Sequence, residues 1–135
     1  ALLFSQLERL EIITQKRLLI WQQYYDAFKQ LQPKIKLPTV PENCQHNGHI
    51  FYLIMRSKIM RDALIQHLRD QGIQAMFHYQ SLHLSEAGER FGKSLGQLVV
   101  TEDMSGRLIR LPLYIGMRDD EISCVVDALC QCEKY

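Results

Sequence analysis

Apolar residues recur at three- and four-residue steps from Leu3 through Leu7, Leu10, Ile13, Ile20 or Trp21, Tyr24, Phe28 and Leu31, with Glu, Arg, Lys and Gln between them. The spacing predicts one long amphipathic helix. About 27 residues at 1.5 Å each reach about 40 Å, more than a compact domain of this size needs for its own core. Part of the stripe is therefore expected to pack against something outside the chain. Ser5 and Glu8 form a capping-box pattern that places the helix start at Ser5. The apolar run Ala1-Leu2-Leu3-Phe4, with no initiator Met, points equally to a segment cut from a larger protein.

Pro33 stops the helix, and prolines at 38 and 41 make 34–43 an extended connector. The period then changes. His49-Ile-Phe-Tyr-Leu-Ile-Met-Arg56 is β-rich and apolar on both faces, which suits a central strand. Ser57 can cap a helix whose buried stripe is Ile59, Met60, Ala63, Leu64 and Leu68, with Arg61, Asp62, Arg69 and Asp70 outward and Gly72 as the left-handed stop. Residues 73–77 read as the next strand. The helix between the two strands predicts a parallel pair, either adjacent or with a third strand intervening.

Farther on, 85–91 reads as a short helix ended by Gly92, and Thr101 as the N-cap of a helix weakened by Gly106. Residues 110–116 read as a short extended piece. The last helix starts at about Asp119 and turns Ile122, Val125, Val126 and Leu129 inward, with three acidic residues complementing its dipole. The sum is a single α/β domain over 1–135: one long helix, a small sheet and two or three further helices.

Composition narrows the function classes. The chain has 135 residues, 47% hydrophobic and 23% charged, which is a globular composition. Sixteen basic and fifteen acidic residues give a formal charge of +1, so no electrostatic footprint for nucleic acid or an anionic membrane is present. Apolar runs are too short to span a bilayer and no signal-peptide pattern occurs, so a cytoplasmic location is expected. Cys44, His46 and His49, and Cys124, Cys130 and Cys132, lack metal-ligand spacing and read as free thiols and ordinary imidazoles in a reducing compartment; no metal is expected.

The chemistry-bearing stretch is Gly72-Ile-Gln-Ala-Met-Phe-His-Tyr-Gln-Ser-Leu-His83, in which a helix stop and a short apolar strand deliver His78, Tyr79 and His83 to a sheet edge. These can contact a ligand or move protons, and they can equally do no more than satisfy local hydrogen bonds. No G-x-S-x-G elbow, cysteine-protease signature or glycine-rich phosphate loop accompanies them. His49 begins a strand and reads as structural, with an approach to the site left open, and His67 reads as half exposed on a helix flank. Trp21, Tyr24, Tyr25 and Phe28 read as helix packing, and Arg107 and Arg110 either hold phosphate or are solvated.

Gln6-Leu-Glu-Arg-Leu10, His49-Ile-Phe-Tyr52, Arg61-Asp-Ala-Leu64, Gly72-Ile73 before His78-Tyr79 and Leu82-His83, and Arg110-Leu-Pro-Leu-Tyr114 occur in an order and spacing that resemble the C-terminal part of the DegT/StrS-type sugar aminotransferases. The resemblance covers essentially the whole chain. Gln80-Ser81 departs from it, since relatives often carry proline before Leu-His.

The resemblance implies the small α/β domain of a fold-type-I enzyme whose absent large domain holds pyridoxal phosphate and its Schiff-base lysine. It implies transfer of an amino group, with glutamate the usual donor, to the 4-keto carbon of a dTDP-6-deoxyhexose, and a homodimer with active sites near the subunit interface. His78 and Tyr79 would face the sugar or its pyrophosphate, and His83 would support their loop. None of the seven lysines at 16, 29, 34, 36, 58, 93 and 134 matches the Schiff-base position, so the chain alone is expected to be inactive. Two alternatives stay open: the same fold acting on another keto sugar or carbon position, and a freestanding interaction domain whose His-Tyr cluster is structural.

Overall fold

The computed structural model describes residues 2–132; of the expectations above, those on Ala1 and Lys134 lie outside the described residues. The opening stripe forms two helices rather than one, α1 (Leu2–Leu7) and α2 (Leu10–Phe28). At the break the Glu8 N–H still reaches the Phe4 carbonyl, but the Arg9 N–H bonds one residue closer, to Gln6, and the turn tightens. Ser5 sits inside α1 and caps nothing, because the apolar residues before it are themselves helical.

Burial along this stripe changes sharply at Ile20. Leu3, Leu7 and Leu10 are exposed, whereas Ile20, Trp21, Tyr24 and Phe28 are buried against the sheet. Phe51 is the shared contact, with ring centroids 5.3 Å from both Trp21 and Tyr24 and 6.0 Å from Phe28. The aromatic cluster of α2 is thus core. The buried Tyr24 hydroxyl donates to the Pro112 carbonyl at 3.0 Å, and burial pushes this phenol up, so it stays a donor.

β1 (Phe51–Ile54), β2 (Met76–Phe77) and β3 (Leu108–Leu111) form one sheet in the order β1-β3-β2. β3 runs antiparallel to both neighbours, so β1 and β2 are parallel with a strand between them. The central position expected for β1 belongs to β3. β1 lies toward the edge, where Lys36 of the connector exchanges two 3.0 Å backbone bonds with Ile54. The piece expected at 110–116 is a strand only to Leu111, after which the chain loops to α6.

α3 (Lys58–Asp70) begins where expected: the Met60 N–H donates to the Ser57 hydroxyl at 3.2 Å. It ends at Gly72, whose φ of +74° lets the Ile73 N–H return to the Leu68 carbonyl at 2.8 Å. Its facing differs from the expectation. Arg61, Leu64 and Leu68 are buried, while Ile59 is 82% exposed. The Arg61 guanidinium lies over the Phe77 ring at 5.5 Å and its Nε is 2.7 Å from an Asp62 oxygen, a charge pairing that still leaves Nε and Nη1 without a hydrogen bond among the described residues.

The second strand is shorter than 73–77. Ile73 and Ala75 are buried ahead of it, and only Met76 and Phe77 pair with β3. α4 (Glu86–Phe91) is capped by Ser85 and ended by Gly92 as expected. α5 (Val99–Arg107) starts before Thr101, since the Glu102 N–H already bonds the Leu98 carbonyl at 2.9 Å, so Thr101 lies within the helix and does not cap it. α6 (Asp119–Cys130) buries Ile122, Val125, Ala128 and Leu129, with Val126 only half-buried. His67 is half-buried and bonds the Ala128 carbonyl region through Nε2 at 3.0 Å, tying α3 to α6.

Gly48, just before β1, has φ +59° and packs on the α2 backbone: a Cβ there would lie 2.8 Å from the Arg17 carbonyl carbon and 2.9 Å from the Leu18 nitrogen. Gly48→Ala is expected to cost about 2–5 kcal/mol, combining left-handed strain with overpacking. Gly72→Ala, whose Cβ would meet nothing within 4 Å, is expected to cost only about 1–2 kcal/mol. Denaturant unfolding of both variants measures the difference, and equal losses would contradict the close approach of Gly48 to α2.

Candidate functional site

The sheet has one closed and one open face. Phe51, Leu53, Ile109 and Leu111 are buried, while the alternating residues Tyr52, Ile54, Leu108 and Arg110 are half-buried. Met76 pairs with Arg110 across the ladder, so His78, two residues farther on, leaves β2 on the Arg110 side. His78 is half-buried. Desolvation, followed by the charge of Arg110 and a smaller effect of His49, holds its pKa below the ordinary 6.5, which keeps the imidazole neutral at pH 7.

Tyr79 follows through a cis peptide bond and lays its ring against His78, centroids 4.2 Å apart, while remaining 65% exposed. The loop that carries it is pinned behind. The Gln80 side chain donates to the Leu84 carbonyl at 2.7 Å, the Ser81 hydroxyl lies 2.9 Å from that of Ser105, and His83 Nε2 lies 3.0 Å from Glu102 Oε1. His83 therefore engages α5, and His78 and Tyr79 present their rings together. The three residues singled out in the sequence divide into a presented pair and a tether.

Beside the open face lies a cleft of about 690 Å³ at the sheet end where β1 and β2 begin. Arg17 from α2, His49 ahead of β1, Met76, Arg110, and Tyr114 and Glu121 toward α6 supply its more reactive or flexible groups. The Tyr114 hydroxyl donates to Glu121 Oε1 at 2.9 Å, and that carboxylate also accepts the Arg118 N–H at 2.9 Å. These bonds hold the Glu121 carboxyl below the usual carboxylate range. Arg17 carried no sequence signal beyond its polar position on an amphipathic helix. His49, for which the sequence leaves an approach to the site open, is exposed and lines this cleft.

The described residues alone do not fit pyridoxal phosphate. All six described lysines are exposed, and none lines the cleft. Among the described residues no three His, Cys, Asp or Glu side chains converge to hold a metal, and no helix is long and apolar enough to cross a membrane.

The DegT/DnrJ/EryC1/StrS aminotransferase family matches residues 1–130. A dTDP-3-amino-3,4,6-trideoxy-alpha-D-glucose transaminase of Micromonospora megalomicea subsp. nigra is 30% identical over 95% of this chain and 34% of its own length. The crystal structure of S. venezuelae DesV in complex with a ketimine intermediate superposes with a TM-score of 0.83 at 26% identity, over 95% of this chain and 34% of that one. The PLP-form of Spr1654 from Streptococcus pneumoniae superposes with a TM-score of 0.77 at 23% identity, over 93% of this chain and 32% of that one. The chain spans about a third of the length of the curated relatives it matches.

Because Arg110 opposes protonation of His78, Arg110→Met is expected to raise the His78 pKa toward its ordinary value without reaching it, since burial is the larger cause. Imidazole NMR titration of the chain and the variant checks the direction. An unchanged or lower pKa in the variant would show that the guanidinium does not act on His78.

Proposed function

The chain belongs to the DegT/DnrJ/EryC1/StrS aminotransferase family, and from that premise we propose that it is the C-terminal small domain of a pyridoxal-phosphate-dependent nucleotide-sugar aminotransferase. The match across residues 1–130 carries this reading. The whole enzyme would transfer an amino group, from glutamate, to the 4-keto carbon of a dTDP-6-deoxyhexose. The segments Trp21-Gln-Gln-Tyr-Tyr25, Phe77-His-Tyr79 and Ala87-Gly-Glu-Arg-Phe-Gly92 favour the 4-amino-4,6-dideoxygalactose product, a precursor for lipopolysaccharide or enterobacterial common antigen. The 30% identity to a 3-amino-sugar transaminase supports the second reading, a different keto carbon on the same kind of substrate.

The cofactor would supply the electron sink and would be held by the remaining two-thirds of the polypeptide, as would the lysine. This chain's contribution is positional. Tyr79 offers an exposed hydroxyl to the sugar or its pyrophosphate, and His78, neutral and adjacent, can donate or accept one hydrogen bond or take a proton. His83 would act through the loop, held by Glu102. The enzyme would work as a homodimer in the cytoplasm.

The test is the complete polypeptide, assayed for cofactor absorbance and for glutamate-dependent amination of a dTDP-4-keto-6-deoxyhexose. Tyr79→Phe is expected to lower kcat/KM about three- to tenfold, the worth of one hydrogen bond, with cofactor absorbance unchanged. Glu102→Ala is expected to raise KM by freeing the His83 tether. No amination of any dTDP-keto sugar by the complete polypeptide would sink the proposal, and turnover by residues 1–135 alone would contradict the division of labour.

A further inference from the structure

Four of the described arginines are not fully exposed: Arg17, Arg61, Arg107 and Arg110. Two of them have acidic partners, Asp62 beside Arg61 and Asp103 beside Arg107. The other two have none among the described residues, and both line the same cleft. Among the described residues Arg17 Nε is screened from solvent without a hydrogen-bond acceptor, as are Arg61 Nε and Nη1 and Arg107 Nε, but Arg17 alone of these three has no carboxylate beside its guanidinium. Among the described residues Arg110 has a single polar contact, from Nη2 to the Met76 sulfur at 3.9 Å, which is a weak acceptor.

Arg17 Nε, withdrawn from water without an acceptor, loses hydration that nothing replaces, and the half-buried Arg110 guanidinium has no acidic neighbour to neutralise it, so both favour an oxyanion arriving in the cleft. The acid that shares the cleft does not supply it. Glu121 is already engaged by the Tyr114 hydroxyl and the Arg118 N–H. His49 adds a third group able to donate, and Leu111, Leu113 and Val125 give the cleft apolar walls. Donors on one side and hydrocarbon on the other describe a site for a small molecule with an anionic head and an apolar or planar body.

We propose that Arg17 of α2 and Arg110 of β3 form an oxyanion-binding site, for a carboxylate or phosphate group, in the cleft between the open sheet face and α6. Two sources can present this chemistry: a free ligand, or an acidic side chain of the longer polypeptide. The site does not depend on the aminotransferase reading, because its test records arginine signals and not turnover.

The experiment follows the Nε–Hε resonances of the 135-residue chain during titration with inorganic phosphate and, separately, phenyl phosphate. Saturable movement of the Arg17 and Arg110 signals is expected, with phenyl phosphate binding more tightly because its ring packs on the apolar walls. Arg17→Gln and Arg110→Gln are each expected to weaken binding about tenfold, the worth of one charge-assisted interaction. Lys16→Gln, which removes the same charge from an exposed neighbour, is expected to leave it unchanged, and backbone spectra confirm that each variant is folded. Linear shifts shared with the exposed Arg9 and Arg69, or equal weakening by Lys16→Gln, would overturn the site. The same titration on the longer polypeptide separates the sources: retained binding assigns a free ligand, and loss there alone assigns an internal carboxylate.

Discussion

The packing of Phe51 against Trp21, Tyr24 and Phe28 is the contact on which the domain depends. It joins the first long helix to a strand that starts more than twenty residues after that helix ends, so it closes the connector as well as the core. Each ring has two side-chain torsions to fix and buries a large apolar area, which makes an aromatic cluster an economical way to hold a helix on a sheet. Gly48 belongs to the same constraint. The chain can reach Phe51 only by passing directly over the Arg17–Leu18 backbone, and a side chain at position 48 would hold the two apart.

Clamping α2 to one sheet face has a second consequence: the other face stays open. Tyr52, Arg110 and Met76 cross that face in register, and His78 follows Met76 two residues farther along the chain. Polar groups there are partly withdrawn from water without reaching protein partners. Arg110 is of this kind, whereas the more deeply buried Arg61 has Asp62 and the Phe77 ring beside it. The lowered pKa of His78 comes from the same local environment, since desolvation and the Arg110 charge both disfavour the imidazolium. Chemical reactivity on the open face therefore follows from how the closed face packs.

Local signals in the sequence held at four helix ends and failed at Ser5 and Thr101, where each helix begins before the hydroxyl that would cap it. Ser57, Gly72, Ser85 and Gly92 bound helices because a hydroxyl acceptor, a left-handed φ or the absence of a Cβ acts within a few residues. The signals also failed where a partner distant in sequence decides. Nothing within 49–56 says that β3, more than fifty residues on, takes the centre of the sheet. Nothing within α3 says that Arg61 finds Phe77 and an acid while Ile59 turns to solvent. The site was legible to the same degree. His78 and Tyr79 emerge side by side from a strand end, but the engagement of His83 by Glu102 and the convergence of Arg17 with Arg110 depend on tertiary pairing that spacing does not encode.

The opening stripe shows what a hydrophobic period does and does not report. Leu3, Leu7 and Leu10 keep the same three- and four-residue spacing as Ile20, Tyr24 and Phe28, yet the first group is 68%, 55% and 53% exposed and the second 6%, 0% and 0%. A period identifies the face that selection keeps apolar; it does not identify what covers that face. The domain's own core ends near Ile20, and apolar residues recur again from Ile13 back to Leu3, beyond the charged Lys16 and Arg17. An exposed continuation of a buried stripe is costly in water and is the ordinary mark of a surface that meets another surface. That expectation agrees with the chain spanning about a third of its relatives' length, and on the reading proposed above the complement of α1 and the first turns of α2 would lie in the same further part of a longer polypeptide as the cofactor anchor.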